Sequence, residues 1–251
     1  MRGKNLFRSA ACGALALAAA CVGAAREPVD CVNTGIGSIS HMLVPTFRTV
    51  QRPHALFRFN APYRDFTEDA VSACWIQTPA HRQPPVFSFC PYSGDAKGAL
   101  GPWRSSWDQP HAAPYRYDVR LDAYDVTLAV APGERSAIFS FAFARDETHA
   151  VQFGVHNGKE GSYACDGRVL RGVDACGTRA GFPVRVYLHA EFDAAPSDVR
   201  KAGARTVLFF GTKAETVRMR VGISYISAEQ AERNLRDDHP LLAQQSYGQR
   251  L

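Results

Sequence analysis

The sequence predicts an all-β fold, a large antiparallel β-sandwich with one short C-terminal helix. Apolar and polar residues alternate with a period of two through much of the chain between Tyr115 and Tyr225, which is typical of half-buried strands. Tight-turn pairs separate these segments, namely Pro132-Gly133, Asn157-Gly158 and Asp166-Gly167. Many short strands joined by such turns form a sandwich or a barrel rather than a parallel sheet with crossover helices.

Most of the predicted strands place their apolar side chains on one face, and one is a short, wholly apolar run. They are Tyr115–Leu121, Val126–Val130, Phe139–Phe143, Val151–Val155, Val184–Leu188, the apolar run Val207–Phe210, and Val217–Tyr225. Residues 33–101 differ, because they are rich in Pro, Gly, His and Arg and alternate only weakly. We expect them to form long loops packed over the sandwich, where binding residues often concentrate.

Only one segment has a convincing helical pattern. Ser227-Ala-Glu-Gln230 is a capping box, in which the serine hydroxyl and the glutamine side chain each satisfy a free backbone N–H. Ala231 and Leu235 then recur at helical spacing, and Pro240 is predicted to end the helix.

The N-terminus has the three parts of a secretory signal peptide. Arg2, Lys4 and Arg8 precede an apolar run, and small residues follow at Val22-Gly-Ala-Ala25. The run is too short to span a bilayer, which needs about 20 apolar residues. A buried N-terminal helix is one alternative, and lipoprotein processing at Cys21 is another. We therefore expect a signal peptide over residues 1–25, export to the periplasm or the exterior, a sandwich domain over 26–226, and a linker-like helix and tail over 227–251.

The charge of the chain excludes some partners. The formal net charge is +5, and three of the basic residues belong to the leader, so the mature chain carries about +2. No run of Lys and Arg suggests nucleic-acid binding. No later segment is long and apolar enough to cross a membrane as a helix.

The chain contains seven cysteines, two of them within the first 25 residues. Because cysteines in an oxidising compartment tend to pair, we expect the disulfides Cys165–Cys176 and Cys74–Cys90, with Cys31 left over. Free buried thiols are the alternative, since sequence alone does not determine connectivity.

The common catalytic motifs are absent, among them the Gly-x-Ser-x-Gly elbow and His-Glu-x-x-His. Paired acids such as Asp122 with Asp125 lie at turns and are interpreted as solvated carboxylates. Other side chains suit a sugar, because aromatic rings with a few polar groups are the usual composition of a small-ligand site. These side chains are Trp75, Trp103 and Trp107 for stacking, and Arg52, His54, His81 and Arg82 for donating to hydroxyls. Core packing and local hydrogen bonding are the alternatives.

Several motifs together resemble one family. They are Thr49-Val-Gln-Arg-Pro-His54, Asp65-Phe-Thr-Glu68, Ser88-Phe-Cys-Pro-Tyr-Ser-Gly94, Pro114-Tyr-Arg-Tyr-Asp-Val119 and the segment Gly222–Leu235. In this order they resemble the N-terminal domain of glycoside hydrolase family 92, the exo-acting α-mannosidases. The resemblance implies a galactose-mutarotase-like supersandwich. It also implies that a separate (α/α) domain supplies the catalytic carboxylates and most ligands of a required calcium ion.

The resemblance also implies which residues of this chain face a sugar. The family's N-terminal domain contributes to the sugar pocket, and the motifs point to Arg52, His81 and Arg82, with Trp103 added for stacking. We expect weak binding of a mannoside or an N-glycan, with no catalytic residue, no metal and no hydrolysis by this chain alone. The alternatives are a module that docks on a separately encoded mannosidase barrel, and a structural envelope protein.

Overall fold

The computed structural model describes residues 27–36, 48–60, 70–71, 74–77, 85–107, 111–155, 161–177, 183–213 and 215–244. Residues 33–251 form one compact unit, and residues 1–32 form another, of which a single 3-10 turn, Pro28–Cys31, is described. The predicted signal peptide and Asn157-Gly158 lie outside the described residues. No helix in the described ranges is both long and apolar enough to span a bilayer.

Sixteen strands, numbered in chain order, make up most of the described chain. They are β1 (Arg58–Asn60), β2 (Ala70–Val71), β3 (Cys74–Gln77), β4 (Pro85–Gly94), β5 (Ser105–Ser106), β6 (His111–Ala113), β7 (Arg116–Leu121), β8 (Val126–Pro132), β9 (Ser136–Phe143), β10 (Thr148–Val155), β11 (Ser162–Asp166), β12 (Val169–Gly177), β13 (Pro183–Phe192), β14 (Asp198–Ala202), β15 (Arg205–Gly211) and β16 (Thr216–Ser224).

The strands form two large antiparallel sheets, which confirms the predicted sandwich. One sheet has the spatial order β1-β3-β4-β10-β15-β14, and the other has the order β11-β12-β13-β16-β9-β8-β7-β6. The short strands β2 and β5 pair separately. The predicted turn at Asp166-Gly167 is confirmed, because it joins β11 to β12 and Gly167 takes a left-handed φ of 55°.

An aromatic core lies between the two sheets. Phe139 in β9 is fully buried, and its ring centroid lies 5.0 Å from that of Phe89 in β4 and 5.3 Å from that of Phe59 in β1. Both ring pairs are edge-to-face, the geometry that the aromatic quadrupole favours. Rings from three strands of the two sheets therefore meet at one point of the core.

The expectation of long loops over residues 33–101 is wrong in its main part. This region contributes β1, β3 and β4, and the ten-residue β4 is an inner strand of the six-stranded sheet. Its sequence does not alternate clearly between apolar and polar because both of its faces are covered. Phe89 on the inner face is 1% exposed, and Cys90 on the outer face is 3% exposed.

The single α-helix of the described chain, α1 (Ala228–Gln244), packs on β9, β13 and β16 of the eight-stranded sheet. Gly222 of β16 is the point of close approach, because a Cβ there would overlap the carbonyl oxygen of Ala231. Asn234 strengthens the contact by donating from Nδ2 to the carbonyl oxygen of Ile223 at 2.7 Å.

Two details of the helix differ from the prediction. The Ser227 hydroxyl caps the helix by accepting from the Gln230 backbone N–H at 3.1 Å, but the Gln230 side chain donates to Asn234 instead of completing the capping box. The helix also continues through Pro240 to Gln244, although proline lacks the N–H for one helical hydrogen bond. Anchoring of the helix on the sheet just before this residue, through Asp238, offsets part of that loss.

Candidate functional site

Polar residues collect on the outer face of the six-stranded sheet. The strand register places Ser88 of β4 opposite Gly154 of β10, and Gly154 opposite Arg205 of β15. In the next row, Cys90 lies opposite Gln152. Directly paired residues share a face of a sheet, so these five side-chain positions form one surface pointing away from the aromatic core.

A segment of irregular chain, residues 95–104, covers this surface. It contains a short 3-10 turn, Gly98–Leu100, and it ends beside Trp103. The Trp103 ring stacks on Tyr92 with a centroid distance of 5.3 Å and an interplanar angle of 21°, and its Nε1 donates to the Gly98 carbonyl oxygen at 3.3 Å. The aromatic stack therefore fixes one end of the covering segment to β4.

Arg205 fixes the middle of the covering segment. Its Nη1 donates to the Gly101 carbonyl oxygen at 2.7 Å, and its Nη2 donates to the Leu100 carbonyl oxygen at 3.2 Å. Nη1 also donates to Gln152 Oε1 at 3.3 Å, while Gln152 Nε2 donates to Gly101 at 3.4 Å. A single guanidinium thus connects β15, β10 and the covering segment, which its planar fork of donors allows.

A cavity of about 200 Å³ remains between the covering segment and the sheet. Its walls combine an aromatic ring, small residues and polar side chains. They consist of Ser88, Phe89, Cys90, Pro102, Trp103, Gln152, Gly154 and Arg205. The cavity is partly open to solvent. A concave surface with an apolar wall and a few polar groups is the usual form of a small-ligand site.

Among the described residues, Trp103 is the one sequence-predicted sugar-binding residue that lines this cavity. Only 4% of the residue is exposed, and Tyr92 covers one side of its ring. Because so little of it is exposed, Trp103 is a wall of the cavity rather than an exposed plate, and its role in sugar stacking stays a prediction.

Tyr124 lies next to Trp103. Burial raises the pKa of the Tyr124 phenol to about 12, so this phenol stays neutral and can both accept from and donate to the Arg104 backbone.

Arg52 lies in a tight turn before β1. The turn is closed by the Ala55 backbone N–H, which donates to the Arg52 carbonyl oxygen at 3.1 Å. His54 in this turn takes a left-handed φ of 62°. Directly after this turn, the Leu56 backbone N–H donates a hydrogen bond of 2.8 Å to the carbonyl oxygen of Glu134, in the turn that follows β8.

The structure separates Arg52 from Trp103. Arg104, next to Trp103, donates its backbone N–H to the hydroxyl of Tyr124, which precedes β8. The chain that leaves the Arg52 turn bonds instead to Glu134, which follows β8. At about 3.4 Å per residue, this seven-residue strand spans roughly 20 Å. Arg52 and Trp103 therefore do not line the same pocket.

His81 and Arg82 lie outside the described residues, and so does the side chain of Trp75. The strands that flank the segment 78–84 are described: β3 ends at Gln77, which pairs with Arg58 at the start of β1 and with Pro85 at the start of β4. Since Arg52 precedes β1, the turn and these strand ends belong to the same end of the six-stranded sheet. The grouping of Arg52 with His81 and Arg82 stays a prediction.

The predicted Cys165–Cys176 disulfide is absent from the structure. Cys165 has a free thiol and lies opposite Leu170, whereas Cys176 lies opposite Val184, six residues farther along β12. At this separation the Cα atoms are much farther apart than the roughly 7 Å that a disulfide allows. Burial, followed by the Asp166 charge, raises the pKa of the Cys165 thiol, which favours its protonated form.

The pair Cys74–Cys90 stays a prediction. Cys74 of β3 lies opposite Phe89 of β4, so Cys90 is the next residue along the strand and not the register partner. The Cys90 sulfur lies 3.5 Å from the carbonyl oxygen of Pro91.

Acidic residues do not converge in the described part of the chain. Asp125 is ion-paired with Arg120 at 2.6 Å and with Arg145 at 3.7 Å, as expected for a surface carboxylate. Across the described ranges, no three His, Cys, Asp or Glu side chains are arranged to hold a metal ion. The calcium site that the resemblance implies for the full-length family stays a prediction.

Sequence reasoning missed Arg205, Gln152 and Asn60. Arg205 and Gln152 sit in strands, and their shared partner Gly101 is 104 and 51 residues away, so no local pattern marks them. Asn60 of β1 is fully buried, and among the described residues neither its amide oxygen nor its amide nitrogen has a hydrogen-bond partner. A polar residue directly after the apolar Phe59 was the one available signal for Asn60.

The fold is that of a two-sheet antiparallel sandwich domain. The family model described as "Glycosyl hydrolase family 92 N-terminal domain" matches residues 31–224. The chain therefore belongs to glycosyl hydrolase family 92, through its N-terminal domain. No curated protein matches this sequence.

Solved structures show the same fold. The family 92 α-mannosidase BT3965 from Bacteroides thetaiotaomicron is 17% identical, with a TM-score of 0.70 over 83% of this chain and 35% of its own; it has also been solved in complex with mannoimidazole. The inverting mannosidase BT2199 from Bacteroides thetaiotaomicron VPI-5482 is 19% identical, with a TM-score of 0.69 over 88% of this chain and 35% of its own. The chain thus spans about a third of the length of these mannosidases.

Proposed function

We propose that this chain is the carbohydrate-associated N-terminal domain of a mannosidase-like protein, and that by itself it binds mannosides weakly without hydrolysing them. The observation that carries the proposal is the family match, which covers nearly the whole sandwich. An inverting glycosidase needs two opposed carboxylates with a water molecule between them. In the family these carboxylates are expected in the second domain, which is why we assign no catalytic residue and no calcium requirement to this chain.

Arg52 is the described residue best suited to meet a sugar. Its side chain is half-buried, and within the described residues its guanidinium makes no ion pair or hydrogen bond. It precedes β1 at the end of the sheet where β3 and β4 meet the segment with His81 and Arg82. A guanidinium with unused donors can bind adjacent hydroxyl groups of a pyranose.

Mutation of Arg52 tests this function. We expect methyl α-mannoside to bind the purified chain with a Kd in the millimolar range by NMR titration, and Arg52→Ala to weaken binding about tenfold, because a hydrogen bond from a charged donor contributes about 1.5–3 kcal/mol. Arg104→Ala is the matched control, since this exposed arginine lies at the Trp103 end. It should leave the Kd unchanged.

Two results would contradict the proposal. Equal Kd values for the parent chain and Arg52→Ala would remove Arg52 from the site. Release of mannose from an α-1,2-mannobioside by the purified chain, with calcium present, would show that hydrolysis does not need a second domain.

A second candidate function is docking on a separately encoded catalytic barrel. The family model that supports it describes an N-terminal domain, which in the family is followed by a catalytic one. Mixing the two chains should then produce calcium-dependent mannoside hydrolysis that neither has alone. A purely structural envelope protein, by contrast, would show no thermal shift with any mannoside and no activity on mixing.

We also propose that the chain is exported, with cleavage near Ala25. The basic, apolar and small-residue order of the leader supports this proposal. The mass of the chain recovered from the periplasm or the medium tests it, and a cytoplasmic chain of full mass would contradict it. Modification at Cys21 would identify a lipoprotein instead.

A further inference from the structure

Among the described residues, the cavity on the outer face of the six-stranded sheet has one positively charged side chain and no negatively charged one. Arg205 is its only charged wall residue among those described. Arg205 bonds to carbonyl oxygens of the main chain and to the Gln152 amide, and within the described residues it makes no ion pair with a carboxylate. A half-buried guanidinium paired only with neutral groups retains much of its attraction for an anion.

The neutral polar groups of the cavity are also incompletely used. The Ser88 hydroxyl donates to the Gly154 carbonyl oxygen at 3.3 Å, and the Gln152 amide makes bonds of 3.3 and 3.4 Å. These distances are at or beyond the long end of the usual range, so the bonds are weak. Both side chains are nevertheless buried, Gln152 at 7% exposure and Ser88 at 9%. Each group could therefore gain from a hydroxyl placed in the cavity.

The opposite wall is apolar. Trp103 and Pro102 from the covering segment face the polar row across the cavity. The space of about 200 Å³ is open to solvent on one side, so a ring of sugar size can approach these walls. The cavity thus offers one cationic group, two hydroxyl-binding groups and one flat apolar surface.

We propose that this cavity is a binding site for a small hydroxylated monocarboxylate of the sugar-acid class. The carboxylate pairs with Arg205, hydroxyl groups bond to Gln152 and Ser88, and the C–H face of the ring packs on Trp103. The site is distinct from the Arg52 end of the sheet, so it does not depend on the proposed mannoside site.

The Trp103 indole N–H provides a direct probe. We expect potassium glucuronate to shift the ¹H–¹⁵N cross-peak of this indole saturably, with a Kd in the millimolar range; Trp103→Phe assigns the peak. Arg205→Gln retains amide donors but removes the charge, and it should weaken binding at least tenfold. Glucose and methyl α-mannoside should give little shift of this peak.

Gly154→Ala is a second variant that does not touch the charge. A Cβ at this position would lie 2.7 Å from Ser88 Oγ at the cavity wall, and Gly154 is not in the left-handed region, so alanine is accepted once the hydroxyl rotates. We expect the fold and thermal midpoint to be nearly unchanged while glucuronate binding is lost. Arg52→Ala should leave the glucuronate shift intact, which separates this site from the mannoside site.

Three outcomes would overturn the proposal. One is the absence of a saturable shift with glucuronate. Another is an equal shift with the methyl ester of glucuronate or with glucose, which would identify a neutral polyol site. The third is an equal shift with potassium acetate or chloride at the same ionic strength, which would show a response to salt only.

Discussion

Replacing Phe139 by alanine is expected to lower the free energy of unfolding by about 3–5 kcal/mol, the usual cost of removing a buried aromatic ring. The ring is fully buried where β9 faces β1 and β4, and it contacts Phe59 and Phe89 edge-to-face. Its loss leaves a cavity that two sheets cannot close, because strand pairing fixes the backbone on both sides. Urea unfolding followed by tryptophan fluorescence measures the change.

The matched control is Phe210→Ala. Phe210 is only partly buried at the end of β15, and Phe192 is its ring partner at 5.1 Å. We expect the free energy of unfolding to fall by only about 1 kcal/mol, because folding removes less apolar surface from water at Phe210 than at Phe139. Equal losses for the two variants would mean that the point where the three phenylalanines meet is not the centre of the core.

Asp238→Ala is expected to cost about 2–4 kcal/mol by releasing helix α1 from the sheet. Its side chain is 3% exposed, and Oδ2 accepts from the Arg135 backbone N–H at 2.6 Å and from Ser136 Oγ at 3.0 Å. Removing the carboxylate leaves both donors without this partner, and a buried unsatisfied donor costs about 1–3 kcal/mol. Hydrogen exchange of the helix amides should also accelerate.

The neighbouring Asp237 provides the control. Its side chain is 57% exposed and lies 3.9 Å from an Arg135 nitrogen, so it forms a surface ion pair. We expect Asp237→Ala to cost well under 1 kcal/mol, since such pairs contribute little. If Asp237→Ala destabilised the protein as much as Asp238→Ala, charge alone rather than buried hydrogen bonding would hold the helix.

Strands with clear alternation or a wholly apolar run were predictable from the sequence, and β4, which has neither, was not. In β9, Phe139, Phe141 and Phe143 alternate with smaller residues, and all three are buried as predicted. Strand β4 was missed because residues 95–104 cover its outer face. Its outward-facing residues do not contact water and need not be polar, so the strand shows no clear alternation. Similarly, Pro240 was predicted to end the helix, but packing on the sheet stabilises the helix and it continues beyond this residue.

The candidate cavity was even less predictable. Trp103 was predicted from its chemistry. Arg205 and Gln152 look like ordinary strand residues in the sequence, and only the folded structure places both of them next to Gly101. The Cys165–Cys176 prediction failed for a related reason, because nearness in sequence says nothing about strand register.

The sequence by itself determined the antiparallel sandwich, the start of the C-terminal helix and membership of a mannosidase family, because alternation, capping and motifs are local properties of the chain. Only the tertiary structure decided that residues 85–94 form an inner strand, that Arg52 and Trp103 lie apart, and that Arg205 faces a cavity. These features depend on which strands become neighbours and on which segment covers them. Both are set by the packing of residues far apart in the chain, which no local pattern records.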